Sequence, residues 1–192
     1  QAKVEAAARQ YGWEEAATDW RAVVARGDID LVDISTPGDL HAEIAIEAAK
    51  AGKAVFCEKP LANSVADARA MVAAVEDAGV VHMTAFTYRI APSMRYLKHL
   101  LDGGSLGTPR HFRSQRFLDW PETSWAWRQY QKLAGAGDLF DMTIHRIDFA
   151  MDLMGPLRSI CGAVARFAPR TQTVDGKSCP PSNVDDWSSL IG

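Results

Sequence analysis

The rhythm of apolar and polar positions changes near residue 90, and that change divides the chain. Before it, short apolar runs alternate with helical patterns. Val4 to Tyr11 is Ala-rich and helical, with Gly12 as its stop. Asp19 suits the cap of a short helix through Ala25, closed by Gly27. Leu31 to Ser35 reads as a strand, central in its sheet, broken by Thr36-Pro37-Gly38. Asp39 precedes a helical run from His41 to Ala51, which Gly52 ends. Ala54 to Cys57 is a second strand. Ser64 with Asp67 three residues on is a capping box, opening a helix that runs to Ala78. Val80 to Phe86 is a third strand. Strands alternating with helices of this length predict βαβ units and a parallel sheet.

The second half reads as α+β. Ala91 to Leu101 is an amphipathic helix, Pro109 to Phe117 an extended strand, and Leu118 to Ala134 an irregular, Trp-rich segment. A helix spans Gly135 to Gly155, followed by a strand around Ser159 to Phe167, a loop over Ala168 to Asn183, and a last strand beginning near Val184. The expected organisation is one unit over residues 1–90 and a second over 91–192. The helix from Gly135 carries two stripes. Phe140, Ile144, Ile147, Met151 and Met154 form the apolar one, predicted to be buried. Asp141, His145, Asp148 and Asp152 form the polar one. Residues four apart share a helix face, so Asp141 and His145 can touch, and a carboxylate beside an imidazole is an acid–base device. The plain alternative is a surface Asp–His pair. Asp148 and Asp152 are expected to be structural.

Composition narrows the classes. The 192-residue chain is 47% apolar with a net charge of -3, ordinary for a globular protein. No basic run points to nucleic acid, and no apolar run is long enough to span a bilayer. The cysteines Cys57, Cys161 and Cys179 are sparse and far apart, which fits a reducing, cytoplasmic compartment rather than a disulfide framework. The chain starts inside a helical pattern without Met and stops inside an apparent strand. It reads as an interior fragment of a longer protein, or a processed or trimmed form.

Polar residues recur where strands end. Cys57-Glu58-Lys59-Pro60 follows the second strand, and ligands of open α/β sheets bind at the carboxyl ends of strands. Pro60 holds Lys59 extended and admits a cis Lys59–Pro60 bond. Lysine is a point charge that can hold an oxyanion or a phosphate; the plain alternative is a solvated Glu–Lys pair. Thr36-Pro37 ends the preceding strand, with His41 a turn later. A helix N-terminus near Asp39 could face a phosphate, although a plain helix-start role for His41 is slightly favoured. Tyr88-Arg89 follows the third strand. The recurrence is stronger than any one position.

Taken in order, strand, E-K-P, capped helix, strand, Y-R and then G-x-G-x-x-x-D-x-x-x-H-x-x-D resemble the glucose–fructose oxidoreductase / inositol dehydrogenase (Gfo/Idh/MocA) family. The likeness covers nearly the whole chain. Thr36-Pro37 resembles the family's cofactor-contacting strand end. Trp127-Arg128 resembles a W-R segment near the nicotinamide, and Val184-Asp185-Asp186-Trp187 the start of a strand in the substrate domain. The resemblance implies a partial Rossmann parallel sheet followed by an α+β domain with an open, mainly antiparallel sheet. It implies NAD or NADP, and a sugar, polyol or related cyclic substrate. It also implies a homo-oligomer, dimer or tetramer, through the C-terminal sheet. Lys59, Asp141 and His145 match the catalytic lysine, aspartate and histidine. Thr36, Pro37, His41, Glu58, Lys59, Arg89, Trp127 and Arg128 are the expected cofactor contacts. No metal site is expected.

The departure is the family's first strand, G-x-G-x-x-G turn, helix and second strand, about one βαβ unit of roughly 30 residues. These elements cradle the pyrophosphate and choose between NAD and NADP. The end of the substrate domain is absent too. The 192 residues alone are expected to bind a dinucleotide weakly, to expose a sheet edge and to fold poorly. On this reading His145 is the general base, with an unperturbed pKa near ~6.5, and Asp141 orients it or shares its proton. Lys59 holds the developing oxygen charge. Trp120, Trp125 and Trp127 wall the pocket or pack in the core. Three rivals stay open: a non-catalytic sugar or cofactor sensor on the same fold, a metal held by Asp141, His145 and Asp148, and net hydrolysis or elimination through transient oxidation.

Overall fold

The first half builds its core as the apolar pattern predicts. A computed structural model describes residues 1–119 and 121–192. Helix α1 covers Ala2–Tyr11, and Gly12 ends it at φ 74°, a left-handed conformation that glycine adopts without a Cβ penalty. Helix α2 covers Trp20–Val24; the Asp19 carboxylate caps it by accepting from the Arg21 and Ala22 amides. Strands β1 (Leu31–Ile34), β2 (Ala54–Cys57) and β3 (His82–Thr84) form a parallel sheet in that order. Among the described residues β2 lies in the middle and β1 at an edge, where the pattern predicts a central place for the first strand.

Helix α3 (His41–Lys50) buries His41, Ile44, Ala45, Ala48 and Ala49, one face at the i, i+3, i+4, i+7, i+8 spacing. Helix α4 (Val65–Ala78) adds Met71 and Val75. Its cap forms as expected, with Ser64 Oγ accepting the Asp67 amide at 3.1 Å. Together with Val24, Ile34, Val55 and Cys57 the apolar ones among these side chains, all but His41, make one cluster. Each large member contributes about 1.5–3 kcal/mol by leaving water.

The second half is held differently. Helix α5 (Pro92–Asp102) buries none of its residues. The expected strand over 109–117 joins no ladder among the described residues, and most of its side chains are exposed. Alternating side chains suit a strand, but a strand also needs a partner for its backbone. Past the short helix α6 (Gln131–Ala134), the helix from Gly135 opens with a π turn over Leu139–Thr143 and continues as α7 (Ile144–Met154).

Its burial reverses the expectation. Met151 and Met154 are exposed, whereas His145 and Asp148 of the polar stripe are buried. The polar face lies against the strand ends of the sheet, and charged partners there satisfy it. Strands β4 (Cys161–Ala165) and β5 (Trp187–Ile191) pair antiparallel. β5 begins later than Val184 because Asp185 and Asp186 turn their side chains to other segments.

Candidate active site

The parallel register places the carboxyl ends of β1, β2 and β3 side by side, and the segments leaving them carry the predicted polar residues. The Lys59–Pro60 bond is cis. The Lys59 ammonium crosses to the π turn and donates twice to Asp141, to its backbone carbonyl at 2.6 Å and to Oδ1 at 2.9 Å. An ammonium has three donors, so one N–H remains for a ligand. A π turn displaces carbonyls from the regular helical ladder and is frequent at functional sites. Here the Asp141 carbonyl meets Lys59. Arg128 Nε stands 4.0 Å from Asp141 Oδ1, with its guanidinium 4.5 Å over the Trp127 ring.

His145 sits one turn further along. It is buried, the Tyr88 ring lies edge-on at 4.6 Å, and Phe86 stands at 6.1 Å. Its Nδ1 has no hydrogen-bond partner among the described residues. Burial, reinforced by the charges of Lys59 and Arg146, lowers the imidazole pKa to about 4. The ring is therefore neutral at pH 7, the form that accepts a proton. Asp141 turns its carboxylate to Lys59, and no hydrogen bond joins it to His145 among the described residues. The expected orienting role passes to packing against Tyr88 and Phe86.

Arg89 is engaged by the same helix. Its Nε and Nη2 meet the Asp148 carboxylate at 2.6–2.9 Å, and Nη1 meets Asp152 at 3.1 Å. Both aspartates are thus committed to Arg89. Of the carboxylates in the metal rival, Asp148 is paired with Arg89 and Asp141 with Lys59. Among the described residues no three His, Cys, Asp or Glu side chains gather as metal ligands.

His41 is fully buried, with Nδ1 at 2.9 Å from the Pro60 carbonyl and Nε2 at 3.0 Å from the Thr36 carbonyl. It pins two strand-end loops together rather than presenting its ring at the surface of the site. Glu58 folds back, its Oε2 accepting the Lys59 amide at 3.0 Å. Thr36 Oγ1 is buried without a partner among the described residues. Trp125 lies under the Arg170 guanidinium at 3.7 Å, a packing role. Trp120 lies outside the described residues.

The pattern missed three supports. Asn63 Nδ2 donates to the Leu133 carbonyl, tying the loop after β2 to the second half. Gln129, Arg170 and Asp186 form a buried polar cluster. Asp185 accepts the Gly137 and Leu139 amides, both at 2.8 Å. Gly137 was visible as a motif position, and its reason is contact: a Cβ there would stand 1.8 Å from the Asp185 carbonyl oxygen.

Comparison with known proteins bears on the family and the fold. Residues 1–86 match the family described as "Oxidoreductase family, NAD-binding Rossmann fold", and residues 94–191 match "GFO/IDH/MocA C-terminal domain". The chain belongs to the Gfo/Idh/MocA oxidoreductase family. It is 40% identical over 173 residues to levoglucosan dehydrogenase of Pseudarthrobacter phenanthrenivorans, covering 88% of this chain and 44% of that protein. It is 36% identical over 155 residues to inositol 2-dehydrogenase of Rhizobium meliloti, covering 80% and 44%. Among solved structures, levoglucosan dehydrogenase in complex with NADH and levoglucosan superposes with a TM-score of 0.85 at 36% identity, covering 98% of this chain and 51% of that one. An oxidoreductase domain protein from Kribbella flavida gives 0.91 at 40% identity, covering 98% and 52%. The chain spans about half the length of these relatives.

Proposed function

We propose that the protein carrying this chain is a nicotinamide-dependent oxidoreductase. It moves a hydride between NAD or NADP and a secondary alcohol carbon of a sugar, polyol or related cyclic substrate. The observation that carries this reading is the pairing of a Lys59 ammonium, held by Asp141, with a buried neutral His145. Lys59 leaves the carboxyl edge of the parallel sheet to reach Asp141, and His145 lies one helical turn further on, near enough for the Lys59 charge to act on its ring. His145 takes the proton from the substrate hydroxyl. The remaining Lys59 N–H donates to the same oxygen as it becomes a carbonyl. Asp141 keeps Lys59 charged and in place. When bound, a nicotinamide supplies the two-electron acceptor for the hydrogen on the alcohol carbon.

The fit of this group to the chain rests on Thr36 Oγ1, in the segment leaving β1, and His145 Nδ1, on α7, both buried polar atoms without partners among the described residues. Thr36, Pro37, Trp127 and Arg128 are the residues we assign to its nicotinamide end. The description of the matching family and the NADH complex of a relative favour NAD. The likeness to levoglucosan and inositol dehydrogenases favours a ring-shaped polyol or anhydrosugar. Residues 1–90 are the dinucleotide-binding unit and 91–192 the substrate and oligomerisation unit, with Trp127 and Arg128 reaching back to the nicotinamide and Lys59 forward to the substrate. The exposed Val164, Phe167, Trp187 and Ile191 around β4 and β5 support a sheet-mediated homo-oligomer.

The test is reduced-nicotinamide absorbance across a panel of cyclic polyols and anhydrosugars. Substituting His145→Ala is expected to lower turnover by roughly 10²–10⁴-fold with cofactor affinity nearly unchanged. Cofactor binding without turnover on the whole panel would instead support a sensor, and full activity in the His145→Ala protein would remove His145 from the chemistry.

A further inference from the structure

We infer that Asp185 is a positioning residue of this site: it fixes Asp141, and through Asp141 the Lys59 ammonium, from the entrance of β5. The inference rests on the oxidoreductase reading above. The helix that carries Asp141 has no local cap, since the Asp138 side chain makes none and turns instead to Thr143 and Ser188. Asp185 supplies that cap from far along the chain. Its Oδ1 accepts the Gly137 N–H, its Oδ2 accepts the Leu139 N–H, and its carbonyl accepts the Asp138 N–H at 3.1 Å. A negative charge at the amino end of a helix is favoured as well.

The link then runs on to the chemistry. The Gly137 carbonyl accepts the Asp141 amide at 2.9 Å, so two successive hydrogen bonds lead from the Asp185 carboxylate to the Asp141 backbone. Asp141 in turn holds Lys59 by both its carbonyl and its carboxylate. Gly137 is the hinge of this chain, because any side chain there would collide with the Asp185 backbone. Without the cap, Gly137 and Leu139 each lose a partner and the π turn is free to relax toward the regular i→i+4 ladder. That change rotates Asp141 and releases Lys59. A simple tertiary cap would stabilise the fold and leave Lys59 indifferent to Asp185, which makes the two roles separable.

The experiment uses the protein that carries this chain and two variants, Asp185→Asn and Asp185→Glu. Lysines are labelled by reductive methylation and read by mass spectrometry, with exposed Lys50 and Lys177 as internal references. In the Asn variant, whose amide sets a donor against one of the two N–H groups, Lys59 is expected to label several-fold faster. The Glu variant keeps both acceptor oxygens and is expected to keep Lys59 protected. Turnover of the Asn variant is expected to fall by on the order of 10²-fold, the cost of a small misplacement, with NADH affinity little changed. In a Lys59→Met background the Asn substitution should then add almost nothing, because both act through one group. Equal labelling of Lys59 in all three proteins overturns the inference, and so do losses that multiply in the double variant. Labelling needs no turnover, so a protein that oxidises no polyol would defeat the functional reading while the labelling still decides this one.

Discussion

The two halves of the chain reach order by opposite means. In the first, a contiguous apolar cluster from Val24 to Val75 is closed by helices α3 and α4 over the sheet. In the second, Ala134 and Val184 are the buried apolar residues among those described, while Gln129, His145, Asp148, Arg170 and Ser182 are buried and polar. Apolar burial is non-directional, so the first half tolerates small changes of shape. Buried polar groups must each find a partner, so the second half has fewer acceptable arrangements. That difference suits their roles. The first half needs to offer strand ends, and the second must hold a carboxylate and an imidazole against a lysine from the other half.

The sharpest way to break the comparison is Asp186→Ala. Asp186 accepts the Phe167 and Ala168 amides and Arg170 Nη1, all within 2.9 Å. Burial opposes its charge, but these donors outweigh burial and hold its carboxyl below the usual range. Removing it leaves the Arg170 guanidinium, only 3% exposed, without its counter-charge. The expected loss is about 3–5 kcal/mol in urea unfolding. A loss no larger than that of a single methyl in the first half would erase the contrast drawn here.

An intermediate effect is expected from acid. His145 has its pKa lowered from 6.5 to about 4, so between those values the unfolded chain takes up a proton that the native state refuses. Stability should therefore be full above pH 6.5 and decline as the pH falls toward 4. His145→Asn should remove that part of the slope. A slope unchanged by the substitution would mean that the imidazole is not desolvated in the native state. The smallest effect is expected from Ile34→Val in the apolar cluster, about 0.5–1.5 kcal/mol by the same unfolding measurement.

The same contrast decides what could be read from residues alone. The caps at Asp19 and Ser64, the three parallel strands and the buried face of α3 follow from local chemistry and spacing, and the structure shows them. The E-K-P turn and the D-x-x-x-H pair were legible as strand-end and helix-face positions, and the structure joins Lys59 to Asp141, with His145 one helical turn further on. Periodicity misled where a polar face found distant partners. It groups Asp141, His145, Asp148 and Asp152 on one side, but cannot say that Arg89 and Lys59 will cover that side and leave Met151 and Met154 outside. Nor does any local signal in Val184-Asp185-Asp186 announce that one aspartate caps a helix and the next holds a loop. Those partners are far apart in sequence, and hydrogen-bond geometry rather than hydrophobic rhythm selects them.

Lys59 lies in the part of the chain matched by the first family description, and Asp141 and His145 lie in the part matched by the second. The proposed reacting set is thus inherited in two pieces. A recombinant that grafts the second half of one relative onto the first half of another receives the imidazole and the carboxylate from one parent and the ammonium from the other. Its success turns on whether the π turn presents the Asp141 carbonyl at the height of the incoming lysine. For building hybrids on this framework, a crossover near residue 90 carries Gly137 and Asp185 together, whereas one placed between them would part the helix from its cap.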